Sequence, residues 1–205
     1  MERKFPLYEC IFLHTNSRYI QRSNYSLFQA PSPDSPAMST RPIYLTVYSS
    51  PMFAAHWSIW IPDCDANTQK TTAIGKRIHV HGDSRVGFDH EFVRNFNMDL
   101  DERTRTDILL GWTDTANVAA RTDGDTNSTD KEARDIIEKW ALTIPAPGPS
   151  LRDSSSSATD IFQAPRTRVK LQNCQTWMTE LVAKLIEEKI LDEGANTVIA
   201  NAPKN

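Results

Sequence analysis

From residue 43 onward the chain alternates between apolar and polar positions in short runs. Ile43-Tyr-Leu-Thr-Val-Tyr48, His56-Trp-Ser-Ile-Trp-Ile61, Arg77-Ile-His-Val-His81 and the stretch from Phe88 to Phe96 are rich in β-branched and aromatic residues. Turn chemistry separates them: Ser-Ser-Pro at 49–51, a polar stretch over 62–75, and Gly82-Asp83 before Gly87. The pattern predicts a mainly antiparallel sheet, with a further strand around Ile108-Leu-Leu-Gly-Trp112.

Beyond Asp123-Gly124 the period lengthens. Thr129-Asp-Lys-Glu132 has the form of a capping box, and Ala133, Ile136, Ile137, Trp140 and Ala141 follow at helical spacing. After a second irregular stretch, Trp177, Met178, Leu181, Val182, Leu185 and Ile186 form one apolar stripe. Glu180, Lys184, Glu187, Glu188 and Lys189 lie on the other side, and the helix is expected to end before Gly194. The fold class expected is α+β: a small, mainly antiparallel sheet with a C-terminal helix packed on one face.

The remaining segments lack a period. Residues 1–40, with Pro6, Pro31, Pro33 and Pro36, are expected to form a loosely ordered N-terminal extension. Residues 41–200 then make a single domain, interrupted over 145–160 by a loop in which proline and serine deny regular structure.

Composition narrows the chemistry. The chain has 205 residues, is 39% hydrophobic and carries a formal net charge of -3, with 23 Lys+Arg against 26 Asp+Glu. That balance describes a globular protein and not a basic nucleic-acid coat. Three widely spaced cysteines (Cys10, Cys64, Cys174) make no CxxC pair and suggest unpaired thiols in a reducing, cytoplasmic setting. No run is long and apolar enough for a membrane anchor. No glycine-rich phosphate loop or dinucleotide fingerprint occurs, so no cofactor is expected. His79-x-His81 with His90 and Asp83 or Asp89 offers metal-binding atoms but not the spacing of a known zinc signature, so no metal is expected either.

The most informative thiol is Cys174. It opens the last helix on its apolar side, where unpaired N–H groups and the positive end of the macrodipole favour thiolate over thiol. Those N–H groups also suit an oxyanion, and Asn173 before it is a good N-cap. A cysteine nucleophile further needs a base on a rigid neighbour. Alternation in the second strand puts His56, Ser58 and Trp60 on one face; a helix docking there would find Ser58 small enough to let it approach. His79 is placed to hold the His56 imidazole in one tautomer, and His81, on the same face as His79, is its rival.

His56-Trp-Ser-Ile-Trp-Ile61 and Ile78-His-Val80, followed far downstream by Asn173-Cys-Gln-Thr-Trp177, resemble the circularly permuted papain-like fold of the lecithin:retinol acyltransferase family and its relatives. The resemblance covers roughly residues 43–81 and 170–190. It implies Cys174 as nucleophile, His56 as base and His79 as the residue orienting it, with Gln175-Thr176 replacing the family's acidic-His pair. The function expected is acyl transfer through a thioester on Cys174: acyltransferase, amide-forming aminoacyl transferase, or thiol hydrolase or peptidase. Small-molecule or peptide acyl donors and acceptors are the partners implied; an aminoacyl-tRNA donor receives no support from the net charge. The alternative is a non-catalytic interaction module that keeps the fold without the chemistry.

Overall fold

The computed structural model describes residues 39–65, 68, 70–121, 124, 126–150 and 172–205. The expected extension over 1–40 therefore lies almost wholly outside the described residues, as do residues 151–160 of the Pro/Ser-rich stretch. Six strands form one antiparallel sheet: β1 (Thr40–Tyr48), β2 (His56–Cys64), β3 (Thr71–Asp83), β4 (Gly87–Asn97), β5 (Arg105–Asp114) and β6 (Ser128–Asp130), in the spatial order β5-β1-β2-β3-β4-β6. Among the described residues three α-helices follow: α1 (Ile136–Thr143), α2 (Cys174–Glu187) and α3 (Gly194–Asn201). The chain is thus α+β, with a C-terminal helical layer on an antiparallel sheet.

Strand alternation sorts side chains between the two faces. Ile43, Leu45 and Val47 of β1, Trp57, Ile59 and Ile61 of β2, Ile78 and Val80 of β3 and Phe92 of β4 join Trp177, Met178, Leu181, Val182 and Leu185 of α2 in the main core. Trp60, Val93, Phe96 and Met98 form a smaller cluster, and by strand parity it covers the opposite face. A 14-residue helix is marginal alone. Each large apolar side chain that α2 buries contributes roughly 1.5–3 kcal/mol, so the contact with the sheet is what makes it stable.

The structure corrects three expectations. First, α2 docks on the Trp57/Ile59/Ile61 face, not on the His56/Ser58/Trp60 face; Ser58 is fully buried beneath the sheet's other side. Apolar content decides this, because only the first face presents an unbroken aliphatic surface. Second, Thr129 caps no helix: Ser128–Asp130 adds to the sheet as β6. The cap of α1 is Asp135, whose carboxylate accepts from the Glu138 N–H at 2.9 Å, while Glu138 reaches back to the Arg134 N–H at 2.7 Å. A box of the same form thus operates six residues later. Third, a helix follows Gly194 where none was expected. Lys189 adopts a left-handed conformation (φ 59°) just after α2 and turns the chain into α3.

The β3–β4 hairpin fixes the register that matters for the site. Gly82 and Gly87 have φ of 141° and 94°, and a Cβ on Gly82 would lie 2.8 Å from Phe88 Cα, so glycine is required there. Asp83 closes the turn by accepting from the Arg85 and Val86 N–H groups at 2.7 and 3.1 Å. This geometry sets His79 opposite Glu91 and His81 opposite Asp89.

Candidate functional site

His56 is the first residue of β2 and His79 lies mid-strand in β3, on the face away from the helices. Their rings meet edge to face, with His56 Nε2 3.0 Å from His79 Nδ1. His79 is 2% exposed, and its Nε2 lies 2.9 Å from Glu91 Oε1. Arg77 stacks on Phe96, and its Nη2 approaches His79 Nε2 at 3.0 Å and Glu91 Oε1 at 3.8 Å. Only one proton occupies the His79 Nε2 position in the neutral ring. A carboxylate accepts only, so the 2.9 Å contact puts the proton on Nε2, which donates to Glu91, and the Arg77 Nη2, itself a donor, makes no hydrogen bond to that nitrogen. His79 Nδ1 is then the acceptor for His56 Nε2–H, and the lone pair at His56 Nδ1 takes no hydrogen bond from a described residue.

Both imidazoles are neutral at pH 7. Burial, then the charges of His79, Arg77, Arg103 and His81, pushes the His56 pKa down to about 3. Burial also lowers that of His79, against the opposing pull of Glu91. Tyr48 and Asp101 complete the wall: the Tyr48 hydroxyl donates to Asp101 at 2.8 Å, and Arg103 clamps Asp101 through two bonds while stacking on the Tyr48 ring. Burial opposes ionisation of Asp101, but the Arg103 and Tyr48 hydrogen bonds hold its pKa at about 2. Tyr48, His56, Arg77, His79, Glu91 and Arg103 line an open cleft of about 630 Å³.

Cys174 begins α2 and is 6% exposed. Asn173 caps the helix, its side chain accepting from the Gln175 and Thr176 N–H groups at 3.0 and 3.2 Å. The thiol lies 3.8 Å from the carbonyl oxygen of Ala55. Burial raises its pKa, and the N–H groups of Trp57, Cys174 and Gln175 offset this only in part. The expectation that the helix N-terminus makes a thiolate is therefore overturned: desolvation outweighs the helix end. No hydrogen bond joins Cys174 to His56. The two are nevertheless neighbours through the backbone, because the sulfur contacts the residues on either side of His56 in the chain.

Of the other sequence candidates, Trp60 stacks edge-on with Phe96 in the smaller cluster, and the Ser58 hydroxyl is buried without a partner. His81 is exposed, its ring 6.3 Å from that of His79, so His79 and not His81 contacts His56. His90 bonds to Ile144 O at 2.9 Å and stacks on Trp177, on the helix face, away from His79 and His81. Cys64 is disulfide-bonded, contrary to the expectation of unpaired thiols, and Cys174 is the free thiol among the described residues. Sequence reasoning assigns no role to Arg77, and it places Glu91 only within a Phe88-to-Asn97 segment that lines a groove or forms an edge strand, without linking it to His79. Pairing the strands about the Gly82–Gly87 turn would have placed Glu91 against His79.

Residues 43–192, from β1 to the end of the α2 region, match a family of unknown function. The chain belongs to family DUF6540. No curated protein and no solved structure matches it. Among the described residues no helix is long and apolar enough to cross a membrane.

Proposed function

We propose that this DUF6540 member is a cysteine-dependent acyl-transfer enzyme with a permuted papain-like arrangement. The observation that carries the reading is the 3.0 Å contact between His56 Nε2 and His79 Nδ1. With His79 anchored on Glu91, it leaves His56 Nδ1 as a bare base at the strand end whose backbone holds the Cys174 sulfur. In the reactive state the sulfur turns from Ala55 O toward His56. As the S–C bond to an ester, thioester or amide carbonyl forms, the thiol proton passes to His56 Nδ1, and the imidazolium then protonates the leaving group. Glu91 stabilises that imidazolium through His79. Water or an amine next attacks the thioester and regenerates the thiol. The N–H group of Cys174 at the start of α2 suits the oxyanion, since that of Gln175 is held by the Asn173 cap.

A neutral, buried resting thiol favours a second reading, a non-catalytic interaction module. An activated ester such as p-nitrophenyl acetate separates the two. The enzyme forms an acyl adduct on Cys174, detectable by intact mass, that Cys174→Ser lacks and His56→Gln forms roughly 100-fold more slowly. No adduct on a folded wild-type chain rules the enzyme out.

A further inference from the structure

The segment after α3 crosses the chain directly before β2. Lys204 O accepts from the Ala55 N–H at 2.9 Å, and Pro203 O accepts from the Trp57 indole N–H at 2.9 Å. Gln175 Nε2 donates to Lys204 O at 3.0 Å and to Ala55 O at 2.8 Å, the same carbonyl the Cys174 thiol approaches. Ala55 is fully buried, so both its main-chain groups are satisfied away from water. Only carbonyl groups of residues 203 and 204 enter these bonds; their side chains are exposed. Recognition that ignores side chains and reads successive carbonyls with fixed donors is how a protein binds an extended peptide. Proline at 203 sacrifices nothing, since no N–H is required there.

The surroundings continue the path. Asn205 borders an open cleft of about 700 Å³ walled by residues 49–54 and Thr104, and part of the same loop lines the His56 cleft. Its lip carries Met52 and Phe53, 79% and 71% exposed, large apolar side chains that a monomeric surface seldom leaves together.

We infer that the Ala55 N–H, the Trp57 indole and the Gln175 amide form a main-chain subsite for an extended peptide beside Cys174, and that residues 203–205 occupy it in cis. The bound peptide's role as the acyl-bearing or accepting chain rests on the acyl-transfer reading; the subsite itself does not. Gln175, which departs from the acidic residue of the resembled family's motif, acts here as the clamp. Attachment gives residues 203–205 a millimolar-range effective concentration, so a free peptide competes poorly until they are removed.

The test is the rate at which iodoacetamide alkylates Cys174, read from the Cys174-containing tryptic peptide, in the full chain and in a variant ending at Ala202. Removal of 203–205 is expected to raise the rate about tenfold or more, and millimolar acetyl-Pro-Lys-Asn-amide to lower it again. A truncated chain with an unchanged circular dichroism spectrum and melting curve that alkylates at the full-chain rate, or that the peptide fails to protect, overturns the inference. Should truncation prevent folding, Gln175→Met in the full chain serves instead: it removes the donor at similar size, and an unchanged rate overturns the inference equally. Alkylation requires no acyl transfer. Peptide protection without an acyl adduct from p-nitrophenyl acetate would retire the enzymatic reading and leave the subsite standing.

Discussion

Glu91 Oε1 sits 2.9 Å from His79 Nε2, across the β3–β4 pair that sets the two residues directly opposite each other. Because an ionised carboxylate accepts only, this contact assigns the His79 proton to Nε2 and so makes Nδ1 the acceptor for His56. The expected result is that both rings carry their proton on Nε2 and are neutral at pH 7, with His56 staying neutral until pH falls toward 3. Imidazole 15N shifts followed through a pH titration check it. Removing the acceptor with Glu91→Leu should release the His79 tautomer and, through Nδ1, that of His56. A His56 ring that protonates near the ordinary value contradicts the arrangement.

The same burial couples stability to pH. The His56 pKa falls from 6.5 to about 3 on folding, so between those values the unfolded chain binds more protons than the folded one. The contribution is complete above about 6.5 and is lost as pH falls toward 3. His79, lowered by burial, acts in the same sense. Melting temperature should therefore decline from pH 7 to pH 4, and the decline should be shallower in His56→Gln, which cannot take up that proton. Parallel pH profiles for the two chains would contradict this.

How much was legible in the sequence depends on which force decides each feature. The strands β1 to β4 show in the chain because a half-buried strand writes its own period of two. That alternation places His56, Ser58 and Trp60 on one face, but it does not say which face receives α2. The face carrying Trp57, Ile59 and Ile61 wins through its match to Trp177, Met178 and Leu181, a tertiary choice. The two capping boxes, Thr129-x-x-Glu132 and Asp135-x-x-Glu138, are equivalent locally; ion pairs from Lys76 and Arg94 to Glu138 favour the second. Helix α3 is invisible to propensity, since Gly194-Ala-Asn-Thr-Val-Ile-Ala-Asn201 contains few good helix formers. Its buried Ala195 and Ile199, four residues apart, gain their helical state by packing into the main core. The raised thiol pKa of Cys174 likewise depends on burial that no spacing reveals.

Gly75 marks a close approach of β2 and β3 next to a register shift. It faces Pro62 in β2 and Phe96 in β4, and a Cβ there would lie 2.7 Å from both Pro62 Cα and the Trp60 ring, as well as against Ile61 O. Backbone on one side leaves no room to yield, so Gly75→Ala is expected to cost about 1–3 kcal/mol by overpacking. Gly148→Ala, with nothing within 4 Å, is the control and should change stability by less than about 0.5 kcal/mol. Urea denaturation of the two variants makes the comparison, and equal midpoints would mean the sheet relaxes at Gly75.

Arg94 provides the sharpest contrast between buried and exposed charge. Its guanidinium, 3% exposed, pairs with Glu138, which is fully buried, and with Asp130 at 2.8 Å, and it also donates to Glu132 O at 2.9 Å. Lys76, itself buried, bridges the same Glu138 to the helix cap Asp135. Burial favours loss of the Arg94 proton, yet the hydrogen bonds it donates to Glu138 and Asp130 more than compensate and raise its pKa. Arg94→Met keeps much of the side-chain volume but leaves the fully buried Glu138 carboxylate with one cation, Lys76. The expected loss is about 3–5 kcal/mol. Arg134 contacts the same Asp130 at 2.8 Å from a side chain that is 44% exposed, and its replacement by Ala should cost about 1 kcal/mol or less. Chemical denaturation at neutral pH distinguishes the two. If the variants lose equal stability, the Glu138 cluster is not the electrostatic anchor of α1 on the sheet, and the cap at Asp135 alone must hold the helix in place.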